Sequence, residues 1–334
     1  MRDRNDLGPW VRRFLLEYLV VERNLARNTQ LSYRDTLTLL LPFLSRQASV
    51  PIERLAVQDL SAERVRAFLD HIERTRGCGV VTRNQRLGAI HSMARFVGMH
   101  SPEHLAWCSQ VRSVPFKKAA KALIGYLDKH EVEALLRAPD RRTTLGGRDH
   151  ALLLFLYNSG ARAAEAASLG VSNLQLGTSP SVRILGKGNK WRVCPLWPIT
   201  ATALRPLVAG KDPDDQVFLG RTGESMTRYG VHRIVKACAT VAAERVDSMK
   251  GKRISPHTMR HTTAVHLLRA GVDINTIRAW LGHVSLDTTQ VYAEVDLEMK
   301  AKALASVDIT DLPATARARS PGRSTTIMNF MRQL

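Results

Sequence analysis

The sequence lacks the features of several protein classes. Its 334 residues include four cysteines, which are scattered without a C-x-x-C pair or a zinc-ligand spacing. No run approaches the roughly 18 apolar residues that read as a membrane-spanning helix, and the first residues, MRDRNDLGPWVRR, have no apolar signal core. These absences argue against a disulfide scaffold, a structural zinc site, a membrane span and secretion. They predict a cytoplasmic protein with reduced thiols.

Negative charge is also scarce. Asp and Glu number 30 against 49 Lys and Arg, which gives a net charge of +19. A field of this sign attracts polyanions, above all nucleic acid, although a GC-rich genome can also produce an arginine-rich composition. Apolar residues make up 44% of the chain, so the protein is globular, and 334 residues suffice for two domains with separate cores.

Apolar periodicity predicts an all-helical first domain over residues 1–112. One predicted helix runs from about Pro9 to Arg23, and a second starts near Asn28 and continues until Pro42 ends or kinks it. A third helix is predicted to start with Ser61 as its N-cap. A fourth is predicted to start at Thr82, with Gln85 in capping-box spacing. The polar faces of these helices carry arginines that are either solvated or able to grip phosphates: Arg64, Arg66, Arg83, Arg86 and Arg95.

A basic segment with one proline, residues 113–123, predicts a linker. Asp128 and Glu131 then stand in capping-box spacing and predict a fresh helix at the start of a second domain, residues 124–310. This domain is predicted to be mostly helical with one β-hairpin, because SVRILGKGNKWRVCPL is typical of two strands joined by a glycine-containing turn. Residues 311–334, which are rich in Pro, Ser and Arg, are predicted to form a flexible tail.

Six polar side chains of the second domain could supply chemistry: Arg162, Lys187, His257, Arg260, His283 and Tyr292. Each is a weak signal alone, since a single arginine is usually a surface residue and a lone histidine is usually structural. Together they fit one reaction. Arginines can clamp the non-bridging oxygens of a phosphodiester, a tyrosine can attack phosphorus when cations and a histidine favour its phenolate, and a lysine can protonate the leaving sugar oxygen.

The segments SGARAAEAASL, GKGNKWRVCPL, HTMRHTTAVHLLRAG and LGHVSLDTTQVYAEV occur in this order. The sequence thereby resembles the tyrosine recombinase (phage integrase) family in its Xer-like, two-domain form. The resemblance places the family's catalytic set on the six residues above and matches Glu165 to a position that the family often fills with an acid. It implies a mainly α fold, in which an all-helical, SAM-like core-binding domain and a mostly helical catalytic domain with a small β-hairpin or sheet close as a clamp around DNA.

The resemblance also implies a function. Tyr292 would cut one DNA strand through a 3′-phosphotyrosyl intermediate, and a 5′-hydroxyl of a partner duplex would reverse the step, with no cofactor and no metal. The implied partners are double-stranded DNA recombination sites, and the implied working form is a homo- or hetero-tetramer of recombinases on DNA.

Several alternatives stay open. The extreme charge favours an integrase or transposase of a mobile element, while an Xer-type chromosome or plasmid dimer resolvase and a catalytically silent DNA-binding relative are the alternatives. A type IB topoisomerase uses similar phosphoryl chemistry, but the motif spelling favours a recombinase. A zinc protease is disfavoured, because Thr258 stands where its catalytic glutamate must be.

Overall fold

The chain folds as two units, Met1–Leu123 and Ile124–Leu334, each with its own hydrophobic cluster. The computed structural model describes residues 5–119, 125–186 and 188–282. Within these ranges no helix is long and apolar enough to cross a membrane. The described chain is mainly helical with one small sheet, which confirms the predicted fold class.

Helices make up the described part of the first unit. They are α1 (Leu7–Arg13), a π-helical continuation (Phe14–Glu22), α2 (Arg27–Ala48), α3 (Ala62–Arg76), α4 (Val80–His100) and α5 (Leu105–Arg112), with short 3-10 turns between some of them. Aromatic rings join the first helical run to α4, since the Phe96 ring centroid lies 4.9 Å from that of Tyr18 and 6.1 Å from that of Trp10. Burial of such rings is a large share of a small core's stability.

The helix boundaries follow the sequence signals only in part. Ser61 caps α3, because its hydroxyl accepts a hydrogen bond from the Arg64 N–H at 3.2 Å. The capping box predicted at Thr82 is wrong, because α4 already begins at Val80.

Pro42 does not end α2, which continues to Ala48. Phe43 and Leu44 behind the proline are buried in the core. Their burial offsets the main-chain hydrogen bond that a proline removes inside a helix.

Residues 115–117 of the predicted linker are bound to α4. Arg83 is only 5% exposed and donates from Nη1 to the Pro115 carbonyl at 3.1 Å. The Asn84 amide donates to the Lys117 carbonyl at 2.7 Å and accepts from the Lys117 N–H at 3.0 Å. The sequence-based expectation for Arg83 is therefore wrong, because this arginine holds the departing chain and is neither solvated nor open to a phosphate.

A buried helix and a small sheet organise the second unit. Its described elements are α6 (Lys129–Arg137), α7 (Thr144–Ser159), α8 (Ala163–Ala167), β1 (Leu174–Gln175), β2 (Ser181–Leu185), β3 (Trp191–Pro195), α9 (Pro198–Val208), α10 (Arg228–Ala243), α11 (Pro256–Arg269) and α12 (Ile274–Leu281). Residues 151–156 of α7 are all buried. The Thr263 hydroxyl of α11 donates to the Tyr157 carbonyl of α7 at 2.7 Å, so these two helices are joined by a hydrogen bond as well as by packing.

The predicted start of α6 is confirmed, and α11 begins with a hydroxyl cap. The Asp128 N–H donates to Glu131 Oε2 at 2.9 Å, which is one half of a capping box. The Ser255 hydroxyl accepts from the Thr258 N–H at 3.2 Å, and Pro256 occupies the first helical position, where its missing N–H costs no hydrogen bond.

The predicted hairpin is also present. Strands β2 and β3 pair antiparallel, and β1 adds a short third strand in the order β1-β2-β3. The Gly186 N–H donates to the Lys190 carbonyl at 2.8 Å and closes the turn. Val182 and Ile184 of β2 face the core of the second unit.

Candidate active site

Arg162 lies in the short loop between α7 and α8. Helix α7 ends at Ser159, and its C-cap Gly160 has a φ of +59°, the left-handed conformation that glycine adopts at little cost. A Cβ at Gly160 would lie 2.4 Å from Cδ2 of Leu281, so the loop can pass this close to α12 only because residue 160 has no side chain. The Arg162 side chain keeps 35% of its surface exposed, so it can meet a ligand at this turn.

Glu165 holds Arg162 in place. Its Oε1 accepts from Arg162 Nη1 at 2.7 Å, and its Oε2 accepts from the Arg162 main-chain N–H at 2.9 Å. Burial by itself would raise the pKa of Glu165, but hydrogen bonds from Arg192 and Arg162, together with the charge of Arg192, lower that pKa below its usual value. Glu165 is therefore ionised, and it fixes Arg162 through both its main chain and its side chain.

Arg260 is almost fully buried, with 1% of its surface exposed. Its Nη1 donates to the Gly160 carbonyl and its Nη2 to the Leu281 carbonyl, both at 2.6 Å. Gly160 precedes Arg162 by two residues, and Leu281 precedes His283 by two. Arg260 therefore joins the backbone segments that lead to both of these predicted site residues.

His257 stands in the first turn of α11, three residues before Arg260. Partial desolvation of its ring, followed by the charges of Arg260 and Arg162, lowers the pKa of His257. Burial of its ring, followed by the charges of His257 and Arg260, lowers the pKa of His261 to about 4. The two imidazole centroids lie 4.4 Å apart. Near neutral pH the His257 ring is therefore neutral and able to accept a proton.

The structure thus brings together Arg162, His257 and Arg260, from two different parts of the second unit. The other three predicted site residues, Lys187, His283 and Tyr292, lie outside the described residues.

The glycines beside Lys187 and His283 are described. Gly188, after Lys187, has a φ of +76°, and Gly282, before His283, has a φ of +65°. Gly186 and Gly282 both lie against one buried side chain, that of Arg192.

Arg192 on β3 is a site residue that the sequence pattern did not reveal. Its side chain is 7% exposed, and its Nη2 donates to Glu165 Oε2 at 2.6 Å. A Cβ built on Gly282 would lie 3.2 Å from Arg192 Cδ, and one built on Gly186 would lie 3.3 Å from Nη1. The guanidinium therefore fills the space between these two glycines.

Strand alternation conceals Arg192. In WRVCP the apolar Trp191 and Val193 would be expected to face inwards, yet they are 50% and 63% exposed. The signal that could have revealed Arg192 is the pairing register of β2 and β3. Arg192 pairs with buried Ile184, and cross-strand partners share one face of a sheet.

Cys194, the next inward residue of β3, ties the strand to α12. Its thiol donates to the Trp280 carbonyl at 3.4 Å. Burial raises the pKa of the Cys194 thiol, and the charge of Arg192 opposes that rise. Arg192 and Cys194 are thus two inward contacts between the hairpin and the end of α12.

The charged groups described here suit an anion. In residues 5–119, 125–186 and 188–282, no group of three or more His, Cys, Asp or Glu could hold a metal ion. The site instead pairs one carboxylate with the guanidinium groups of Arg162 and Arg192, and the guanidinium of Arg260 binds the nearby Gly160 carbonyl. Guanidinium groups match the geometry of phosphate oxygens, so this arrangement can receive a phosphodiester.

Family comparisons agree with the geometry. The phage integrase family matches residues 125–299, and the N-terminal SAM-like domain of phage integrases matches residues 12–98. The protein named integrase/recombinase y4rC of Sinorhizobium fredii is 39% identical over 91% of this chain and 92% of its own length. Tyrosine recombinase XerC of Pelotomaculum thermopropionicum is 31% identical over 86% of this chain and 94% of its own length.

A solved structure shares the fold. The Tn1549 transposon integrase in complex with circular intermediate DNA aligns with a TM-score of 0.65 at 15% identity, covering 88% of this chain and 98% of that chain. Two matching domains, extended sequence identity and a common fold agree. The chain therefore belongs to the phage integrase family, the tyrosine recombinases, whose members cleave and rejoin DNA.

Proposed function

We propose that this tyrosine recombinase is the integrase or transposase of a mobile element, and that it acts on double-stranded recombination sites. Its proposed active site consists of Arg162, Lys187, His257, Arg260, His283 and Tyr292. The observation that carries this proposal is the convergence of Arg162, His257 and Arg260 beside the backbone that leads to Lys187 and His283.

The proposed reaction begins when Tyr292 attacks the scissile phosphodiester. The tyrosine oxygen bonds to phosphorus, the bond from phosphorus to the 5′-oxygen breaks, and the 3′ end stays on the tyrosine. A neutral histidine accepts the tyrosine proton, and the lowered pKa of His257 keeps its ring in that neutral form near neutral pH. Lys187 protonates the leaving 5′-oxygen. Attack by a 5′-hydroxyl of the partner duplex reverses the step and releases Tyr292.

The two arginines of the proposed catalytic set have different roles. Arg162 is 35% exposed and contacts the non-bridging oxygens. Arg260 is 1% exposed and holds two main-chain carbonyls. It acts through the loops that it fixes and through its charge in a low-dielectric interior. The two-arginine clamp expected from the sequence stays a prediction.

The proposed organisation follows the family. Residues 1–112 form the core-binding domain, 113–123 the linker, 124–310 the catalytic domain and 311–334 the tail, and the two domains close around DNA. The matches over 12–98 and 125–299 support this division. Strand exchange requires two duplexes, so a homo- or hetero-tetramer on DNA in the cytoplasm is the proposed working form.

The biological role has a second candidate. XerC and XerD relatives at 31% and 32% identity favour an Xer-type resolvase of chromosome or plasmid dimers. The 39% identity to integrase/recombinase y4rC, together with the net charge of +19, favours the mobile element. Recombination sites found within inverted repeats near the gene, beside further recombinase genes, would support the assignment to a mobile element. A site remote from any such repeat would support the resolvase.

A covalent-trapping experiment tests the proposed reaction. Overlapping duplexes tiled across the DNA that flanks the gene carry a nick close to each possible cleavage position, so that the short 5′-hydroxyl fragment diffuses away after cleavage. The wild-type protein is expected to yield an SDS-resistant adduct on the duplex that contains its site. Tyr292→Phe loses only the hydroxyl and should bind that duplex without forming an adduct.

Two results would contradict the proposal. An adduct of normal yield in the Tyr292→Phe variant would exclude Tyr292 as the nucleophile. Specific binding of one duplex by the wild-type protein without any adduct would identify the chain as a silent DNA-binding relative.

A further inference from the structure

Arg192 has an unusual environment for a charged side chain. It points inwards from β3 and is 7% exposed, and among the described residues its acidic partner is Glu165. Its Nε and Nη1 are buried and have no hydrogen-bond partner within that part of the chain. A buried cation with unpaired donors is costly, so its presence calls for a compensating role.

The charges around Glu165 indicate what that role is. One carboxylate is shared by two guanidinium groups: Oε1 accepts from Arg162 Nη1 at 2.7 Å, and Oε2 accepts from Arg192 Nη2 at 2.6 Å. The three groups together carry a net positive charge. If Arg192 were absent, Glu165 could take Arg162 in a bidentate fork, which would cancel the charge of Arg162 and use two of its donors.

We infer that Arg192 is a positioning residue that neutralises Glu165, so that Arg162 keeps its charge and its free N–H groups for the scissile phosphate. This inference rests on the proposed function, because it needs Arg162 to meet a phosphate. Arg192 itself does not reach the substrate, since its guanidinium is buried between Gly186 and Gly282. It acts through Glu165 on Arg162.

A structural brace is the competing explanation. Arg192 also packs against the glycines next to Lys187 and His283, and its loss could simply loosen both segments. The two explanations differ in their dependence on charge. A brace matters equally for every substrate, whereas charge compensation matters most when the phosphate is anionic and when Glu165 is ionised.

The first experiment varies the charge of the substrate. Single-turnover adduct formation is measured on the trapped duplex with either a normal phosphate or a neutral methylphosphonate at the scissile position. Arg192→Met, which keeps the aliphatic stem, should slow cleavage of the phosphate on the order of 10²-fold, the effect of a misplaced catalytic group. On the methylphosphonate its defect should be at least about tenfold smaller, because less charge needs stabilising. Equal defects on both substrates would overturn the inference.

The second experiment removes the carboxylate. In a Glu165→Gln background Arg192 has no charge to compensate, so Glu165→Gln and the double variant Glu165→Gln with Arg192→Met should cleave at equal rates. A double variant that is at least about tenfold slower than Glu165→Gln would show a brace and overturn the inference. This comparison holds even if Arg192→Met alone fails to fold, because the double variant leaves no buried carboxylate in need of a second partner.

Controls separate this inference from folding and from the proposed function. Arg148, at the opposite end of α7, has a 13% exposed side chain paired with Asp149, so Arg148→Met removes a comparable arginine far from the site and should leave the adduct rate unchanged. Thermal unfolding of each variant verifies that it folds. A wild-type protein that forms no adduct would overturn the proposed function, whereas normal wild-type cleavage with an unaffected Arg192→Met would overturn the inference alone.

Discussion

At the scale of single residues, the three arginines of the proposed site differ in exposure, and the roles proposed for them differ accordingly. The side chain of Arg162 is 35% exposed and that of Arg192 is 7% exposed, while Arg260 as a whole is 1% exposed. A guanidinium needs contact to bind a phosphate oxygen, but its charge acts over several ångströms in a poorly solvated interior. Loss of Arg162 should therefore impair the chemical step directly, and loss of either buried arginine should act through the loops and charges around it.

The two lysines of the hairpin offer a test at this scale. Lys190 is exposed, and its carbonyl closes the turn; Lys187 is the proposed acid. Lys187→Ala should reduce cleavage on the order of 10²–10⁴-fold, the usual contribution of a general acid, and Lys190→Ala should reduce it little. A 5′-bridging phosphorothioate, whose leaving thiolate needs no proton, should restore cleavage by Lys187→Ala. Restoration of Lys190→Ala instead would assign the acid to Lys190.

The histidines of α11 predict a pH-dependent stability. The pKa of His261, which faces His257 and Arg260, falls from its ordinary value of 6.5 to about 4. Because the folded pKa is the lower one, the unfolded chain binds more protons as pH falls below 6.5, and the fold loses stability. His261 alone should cost up to about 2 kcal/mol between pH 7 and 5.

Urea titrations of the wild type and of His261→Gln at several pH values measure this effect. The free energy of unfolding of the variant should change less between pH 7 and 5 than that of the wild type. Parallel pH profiles for the two proteins would contradict the assignment to His261.

At the scale of elements, the site depends on how helices end. The C-caps of α7 and α12 are Gly160 and Gly282, both with positive φ, and Arg260 binds a carbonyl at each helix end. The left-handed residue turns the chain sharply out of each helix. The predicted catalytic residues follow these two turns directly.

Gly160→Ala tests this arrangement against Gly77→Ala. Gly77 is the C-cap of α3 and has a φ of +60°. A Cβ placed there would have no neighbouring atom within 4 Å, whereas a Cβ at Gly160 would meet Leu281 at 2.4 Å. Gly77→Ala should cost only the left-handed strain of about 1–2 kcal/mol. Gly160→Ala should cost about 1–3 kcal/mol more through overpacking.

The same pair should differ in activity. Gly160→Ala should reduce adduct formation, because it shifts the loop of Arg162, and Gly77→Ala should not. Urea unfolding and adduct yield measure the two effects. Equal losses of stability in the two variants would show that the contact with Leu281 relaxes freely.

Some of these elements could be predicted from the sequence and others could not. Local signals such as the Ser255–Pro256 start of α11 and the hairpin over 181–195 were predictable, because capping and turn chemistry depend on neighbouring residues. The burial of Arg83 and Arg192 was not predictable, because each depends on a partner distant in sequence, Pro115 for the first and Glu165 for the second. The candidate set came from the order of motifs, and Arg192 escaped it because nothing local marks an inward-facing arginine.

At the scale of the whole molecule, the net charge of +19 sets how the protein meets DNA. Phosphate contacts release counterions, so the affinity for DNA should fall on the order of 10³-fold or more between about 50 and 200 mM salt. Binding titrations at several salt concentrations measure this fall.

Cleavage should persist in excess EDTA, since arginine and lysine supply the positive charge in the proposed mechanism. Adduct assays with and without EDTA measure this. Loss of cleavage in EDTA that Mg²⁺ restores would contradict the mechanism.

The hydrogen bond from Cys194 to the Trp280 carbonyl gives the molecule an intrinsic probe of its own opening. A buried thiol with a raised pKa reacts with an alkylating reagent only when its surroundings open, so its labelling rate measures the separation of β3 from α12. Cys78, partly buried in the first unit, provides an internal reference for reagent access. Comparing the two labelling rates by mass spectrometry, with and without DNA, would show whether DNA changes the rate at which β3 separates from α12. No engineered label is needed.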